Sequence, residues 1–134
     1  MRVPSVLLLL PLLVQACAAP PAPGGTPVLR RATTANTGVR IASYARWNER
    51  CEPAGLPTAT VTSEPGHGTL QPRPTSVTAG NRLYTGATNC RDRQVPGIEL
   101  FYTPEPGYRG TDTMAYQVTE GAQTLTFAAT VDVR

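Results

Sequence analysis

One residue of the 134 is a histidine, and His67 lies between two glycines with Ser63 and Glu64 shortly before it. These residue types could build a hydrolytic centre, in which a histidine base activates a serine hydroxyl and an acid orients the base. The spacing argues otherwise. Neither Ser63 nor Ser76 stands in a Gly-x-Ser-x-Gly elbow, and Pro65-Gly66-His67-Gly68 reads as a tight turn with His67 as a structural member. Glycoside hydrolysis would need two carboxyl groups about 5–10 Å apart across a cleft. Glu99, Glu105, Asp112 and Glu120 instead fall at exposed strand positions or in turns. A copper site fails on the histidine count, lysine chemistry on the absence of any lysine, and nucleotide binding on the lack of a Gly-rich loop opening a helix. No catalytic residue, metal ligand or cofactor is expected, and the chain reads as a non-enzyme.

The cysteines hold the remaining chemistry. Cys17 belongs to a leader: Arg2 supplies a positive start, Val6 to Val14 an apolar run, and Ala16-Cys17-Ala18 a small-residue cleavage site. Residues 1–18 therefore read as a signal peptide, with an apolar run well short of the roughly 20 residues that span a bilayer. Val14-Gln15-Ala16-Cys17 resembles a bacterial lipoprotein box, which implies a lipid on Cys17; ordinary cleavage after Ala18 is the other reading. Either cut leaves Cys51 and Cys90 as an even pair in an oxidising compartment, where a disulfide is expected. A bridge closing about 40 residues stabilises by roughly 4 kcal/mol through the unfolded chain.

The formal net charge is +3. The arginines (Arg40, Arg46, Arg50, Arg73, Arg82, Arg91, Arg93, Arg109) are scattered among acids such as Glu49, Glu52 and Asp92. A nucleic-acid footprint would be a dense stripe interleaved with aromatics, so no nucleic-acid partner is expected.

Residues 19–37, with Pro20, Pro21, Pro23, Gly24, Gly25 and Pro27, read as an extended linker too poor in apolar residues to join a core. From Val39 the period becomes two: Val39, Ile41, Ser43, Ala45 and Trp47 share one face of a half-buried strand. Ala59, Val61 and Ser63 mark a second strand and Thr69-Leu70-Gln71 a short third, held to an edge by Pro72 and Pro74. Ser76 to Thr85 reads as a weak strand pair around Ala79-Gly80-Asn81, and Thr88 to Pro96 as a polar loop carrying Cys90. The clearest strands are Ile98-Leu100-Tyr102, Met114-Tyr116-Val118 and Leu125-Phe127-Ala129-Val131-Val133, with Glu120-Gly121 turning the last two into a hairpin. About seven strands separated by turns every 8–12 residues predict an all-β, Ig-like antiparallel sandwich over residues 38–134.

Two segments carry a family likeness. Thr62-Ser63-Glu64-Pro65-Gly66-His67-Gly68-Thr69-Leu70 resembles the Pro-x-His/Asn-Gly-Thr hairpin of bacterial immunoglobulin-like (cadherin-like) repeats. Phe101-Tyr102-Thr103-Pro104, followed by Gly107-Tyr108-Arg109-Gly110-Thr111-Asp112, is similar to their Tyr-Thr-Pro…Gly-Phe-x-Gly-x-Asp corner. Gly107 and Gly110 permit the positive φ of such a corner, and Asp112 can accept backbone N–H groups there. The resemblance departs in three ways: a single copy rather than a tandem array, a cysteine pair outside the common pattern, and Trp47 ahead of both cysteines. No Asp-x-Asp cluster is present for cadherin-type calcium.

The expected function is a cell-envelope protein, exported to the periplasm or held by a lipid anchor as its only membrane contact. It would act as a monomer by touching an envelope protein or glycan. Arg91-Asp92-Arg93 beside Cys90 is the expected contact loop, because loops on rigid scaffolds carry function. The alternative is a secreted periplasmic inhibitor or accessory subunit of an envelope enzyme.

Overall fold

The computed structural model describes residues 25–79, 90 and 92–134. Its strands are β1 (Val28–Thr33), β2 (Val39–Ala45), β3 (Thr58–Ser63), β4 (Gly68–Thr78), β5 (Gln94–Pro104), β6 (Gly110–Glu120) and β7 (Gln123–Val133). They form a four-stranded sheet in the order β1-β7-β6-β3 and a three-stranded sheet in the order β2-β5-β4. All pairings are antiparallel except β1 with β7. The result is an all-β sandwich compatible with an Ig-like fold.

Period-two alternation builds the core. Met114, Tyr116 and Val118 of β6 and Ala129, Val131 and Val133 of β7 turn inward to meet Ile41, Tyr44, Leu70, Ile98, Leu100 and Tyr102 from the facing sheet. Burying each large side chain contributes about 1.5–3 kcal/mol against its exposed state. The Tyr44 and Tyr116 hydroxyls pair with each other at 2.9 Å inside this core, which meets the rule that buried polar groups are bonded. Burial raises the pKa of both phenols above the usual tyrosine range.

Three strand expectations change. The stretch read as linker contains β1, whose six residues pair in parallel with β7 from Val28↔Ala128 to Thr33↔Val133. Backbone hydrogen bonds carry this pairing, and Leu29 is its apolar contact with the core. The hydrophobic pattern therefore could not reveal it. In β2 the register shifts between Arg40 and Ala42, so the inward positions run Ile41 then Tyr44 and skip Ser43. The short strand at Thr69 does not stop at the prolines but continues to Thr78 as one edge strand of 11 residues. Pro72 and Pro74 are tolerated in such an edge, where a missing N–H deprives no neighbouring strand. The expected signal peptide and the Ala79-Gly80-Asn81 tip lie wholly or partly outside the described residues.

Candidate functional site

The strand order places the expected site residues at two opposite ends. The first end gathers the turn between β3 and β4, the corner between β5 and β6, and the turn between β1 and β2. Asp112, only 4% exposed, anchors it. Its Oδ1 accepts the N–H of Gly66 at 2.8 Å and of Thr113 at 3.0 Å, and its Oδ2 accepts the N–H of His67 at 2.9 Å and the Tyr102 hydroxyl at 3.0 Å. Sequence reasoning placed these bonds within Asp112's own turn. Two of the four reach across to a turn about 45 residues away in the chain.

His67 belongs to the same latch. Its carbonyl accepts the Glu105 N–H at 2.9 Å, and its ring stacks on Tyr108 with centroids 4.3 Å apart. Nδ1 lies 3.8 Å from the exposed Glu105 carboxylate. Gly107 and Gly110 adopt φ values of 77° and 138°, a region that costs a side-chain-bearing residue strain. The Gly107 N–H bonds Asn36 Oδ1 at 2.8 Å, tying in the β1–β2 turn. Burial first, and the bond to Asp112 second, push the Tyr102 phenol above its ordinary range.

The second end is built around the disulfide between Cys51 and Cys90, with Cα atoms 5.2 Å apart. It joins the β2–β3 connection to the β4–β5 connection. Trp47, Ala79, Cys90 and Val95 form a small buried cluster beneath it, separate from the main core. Trp47 is thus a packing residue, and Tyr44 and Tyr102 are likewise inside. Phe101 lies on the outer face of its sheet with the Arg73 guanidinium 4.1 Å above the ring. These aromatics therefore form no common exposed patch, and Tyr84 lies outside the described residues.

Asn48 shapes the chain around Cys51. Its Oδ1 accepts the N–H groups of Arg50 at 2.9 Å and Glu52 at 3.0 Å, while its Nδ2 donates to Glu52 at 2.9 Å. This Asx-type turn leaves Arg50 and Glu52 outside, and their side chains pair at 3.2 Å. Across the disulfide, Ala79 and Arg93 close the base of the β4–β5 connection through Ala79 N to Arg93 O at 2.8 Å. Asp92, with φ of 65°, and Arg93 are exposed beside that closure; Arg91 lies outside the described residues. Arg46 packs against the β6–β7 turn, where a Cβ on Gly121 would meet its Nη1 at 2.9 Å. Nearby Glu120 has its pKa raised by burial, an effect partly offset by the Arg46 charge.

The four carboxylates weighed for catalysis do not converge. Asp112 and Glu105 sit at the first end and Glu120 at the second, while Glu99 faces Arg40 at 3.8 Å on a sheet face. Among the described residues no group of three or more His, Cys, Asp or Glu side chains could hold a metal ion. Searches against protein-family models, curated proteins and solved structures find no match to this chain. Sequence reasoning missed Asn48 and Arg46 as organisers of the disulfide end. The usable signal was an asparagine shortly before a cysteine in a proline-bounded loop, the composition of an Asx turn.

Proposed function

We propose that this protein is an exported, non-enzymatic Ig-like module of the bacterial cell envelope that works by contacting a protein or glycan through its disulfide end. One observation carries the reading: Arg50, Glu52, Asp92 and Arg93 are held exposed on two connections locked together by the Cys51–Cys90 bridge. Rigid presentation of charged side chains lowers the ordering cost of binding. At the opposite end the buried carboxylate and the backbone groups around it bond to one another. The likeness of the His67 turn and the Gly107–Asp112 corner to cadherin-like repeats supports a structural or adhesive role. The leader supports export, with Cys17 as the lipid-bearing residue.

A photo-crosslinking residue placed at Arg50 or Arg93 in living cells is expected to capture one recurrent envelope partner. The same residue at Glu105 is expected to capture none. Equal capture from both ends, or labelling of the purified protein by a hydrolase activity probe, overturns the reading. The secreted inhibitor remains the second reading because exposed Arg93 adjoins the base of the β4–β5 connection, a place from which a partner's site could be entered. Intact-mass measurement of the exported protein separates the two: a diacylglyceryl group on Cys17 supports anchoring, and a start at Ala19 supports the soluble inhibitor.

A further inference from the structure

β1 and β3 close the two ends of one sheet, and β2 and β4 close those of the other. An edge strand leaves a row of backbone N–H and C=O groups without a strand partner. Such a row is a template for pairing with another chain unless charges, prolines or bulges blunt it. Three of the four edges are blunted in this way. β1 carries Arg30 and Arg31, β2 carries Arg40 with a register shift beside it, and β4 carries Pro72 and Pro74. β3 reads Thr-Ala-Thr-Val-Thr-Ser, with no charge and no proline. Its one register shift falls between Val61 and Ser63, so Thr58 to Val61 run regularly against Thr119 to Tyr116.

The side chains of β3 suit a copy of itself. Ala59 and Val61 pair with the buried residues Val118 and Tyr116, yet both stay only partly buried, with no described strand beyond them. Thr58 and Thr60 are exposed on the outer face, where Thr58 heads a row with Thr119 and Thr124. An added strand keeps both faces of the sheet continuous only when inward residues meet inward ones. Centring β3 on its own copy at Thr60 satisfies this. Thr60 then meets Thr60, and Ala59 of each copy meets Val61 of the other. This is the isologous contact of a two-fold dimer, in which the same residues serve both sides. It brings no like charges together, and threonine pairs of this kind stabilise cross-strand contacts.

We propose that β3 is a self-association edge, through which two copies of this chain join into one continuous sheet. The dimer takes the place of the monomer expected from the sequence and does not depend on the contact role proposed for the disulfide end. A single strand pair belongs with the small interfaces, under about 1,200 Å², that form transient complexes, so the association is concentration-dependent. Sedimentation equilibrium of the exported protein in density-matched detergent tests it. The native protein passes from monomer to dimer as its concentration rises. Thr60→Lys, which sets like charges opposite each other, keeps its unfolding midpoint and weakens the dimer about tenfold or more. Thr60→Glu does the same, and mixing the two variants restores a dimer because these positions meet across the two-fold. Thr113→Lys, on the same outer face but on an inner strand, leaves association unchanged. A native protein that stays monomeric at every concentration overturns the proposal and leaves β3 to an extended segment of another protein. Unchanged association in Thr60→Lys, equal weakening by Thr113→Lys, or a mixture that associates no better than either variant alone also overturns it.

Discussion

The two ends of the sandwich solve the same problem by different means. Each must hold connections that are distant in sequence. The Asp112 end does so with one buried carboxylate serving four donors. The Cys51 end does so with a covalent bridge and a small cluster around Trp47. A carboxylate latch occupies its own polar groups, so the closed corner offers a partner little. A disulfide requires no polar groups, so the charged side chains around it stay free to face outward. If the contact role proposed above holds, the means of closure decides which end is available for it.

The most damaging test is Asp112→Ala. It strands three backbone N–H groups and the Tyr102 hydroxyl in partly buried surroundings, and about 3–5 kcal/mol of stability should be lost in equilibrium urea unfolding. A loss below about 1 kcal/mol would show that the corner is not held by its carboxylate. Replacing both Cys51 and Cys90 by alanine should cost about 2–4 kcal/mol. Reductant should lower the melting temperature of the native protein and leave that of the variant unchanged.

Tyr102→Phe removes one donor to a charged acceptor and should cost about 1.5–3 kcal/mol. Combined with the double cysteine variant, its effect should add within about 0.5 kcal/mol, because the ends share no partner. A larger coupling would mean the ends are not independent. Tyr102 also sets a pH signature. Its folded pKa is raised above the ordinary 10.0, so the unfolded chain ionises first. The stability that follows is fully present below pH 10 and is lost progressively as the pH climbs above it. Tyr102→Phe should flatten the alkaline limb of the unfolding midpoint.

The smallest effect belongs to Glu120→Gln. Glu120 also has a folded pKa raised by burial above the ordinary 4.5, so its contribution is fully present below that value and falls as the pH rises above it. The variant should be slightly more stable than the native protein at pH 7, by a few tenths of a kcal/mol. The gap should close in melts at pH 4. A gap that widens on acidification would mean that pairing with Arg46 outweighs burial.

Most of the sheet architecture was legible because burial imposes period two on the chain. The alternation at Ile98-Leu100-Tyr102 and at Met114-Tyr116-Val118 located strands that are buried on one face in the fold. β1 escaped because an edge strand held by its backbone leaves almost no hydrophobic trace. The inward face of β2 was misread past Ile41, since a register shift is a property of pairing rather than of one strand's pattern. At the candidate sites, the cysteine pair was legible because Cys51 and Cys90 remain as an even pair once Cys17 is read as part of a leader. The reach of Asp112 to Gly66 and His67 was not, because a buried carboxylate and a local turn acceptor look alike in one dimension.

The parallel contact between β1 and β7 also has a mechanical meaning. A pull on the amino-terminal side of β1, opposed by a pull on the carboxy-terminal side of β7, drags the two strands past each other along their length. Their shared backbone bonds then bear the load together, instead of opening one at a time from an end. The six paired positions from Val28 to Thr33 form a shear clamp in series with whatever holds the chain upstream. Tension along that axis should therefore meet its first resistance at this clamp, before it reaches either the disulfide or the Asp112 corner.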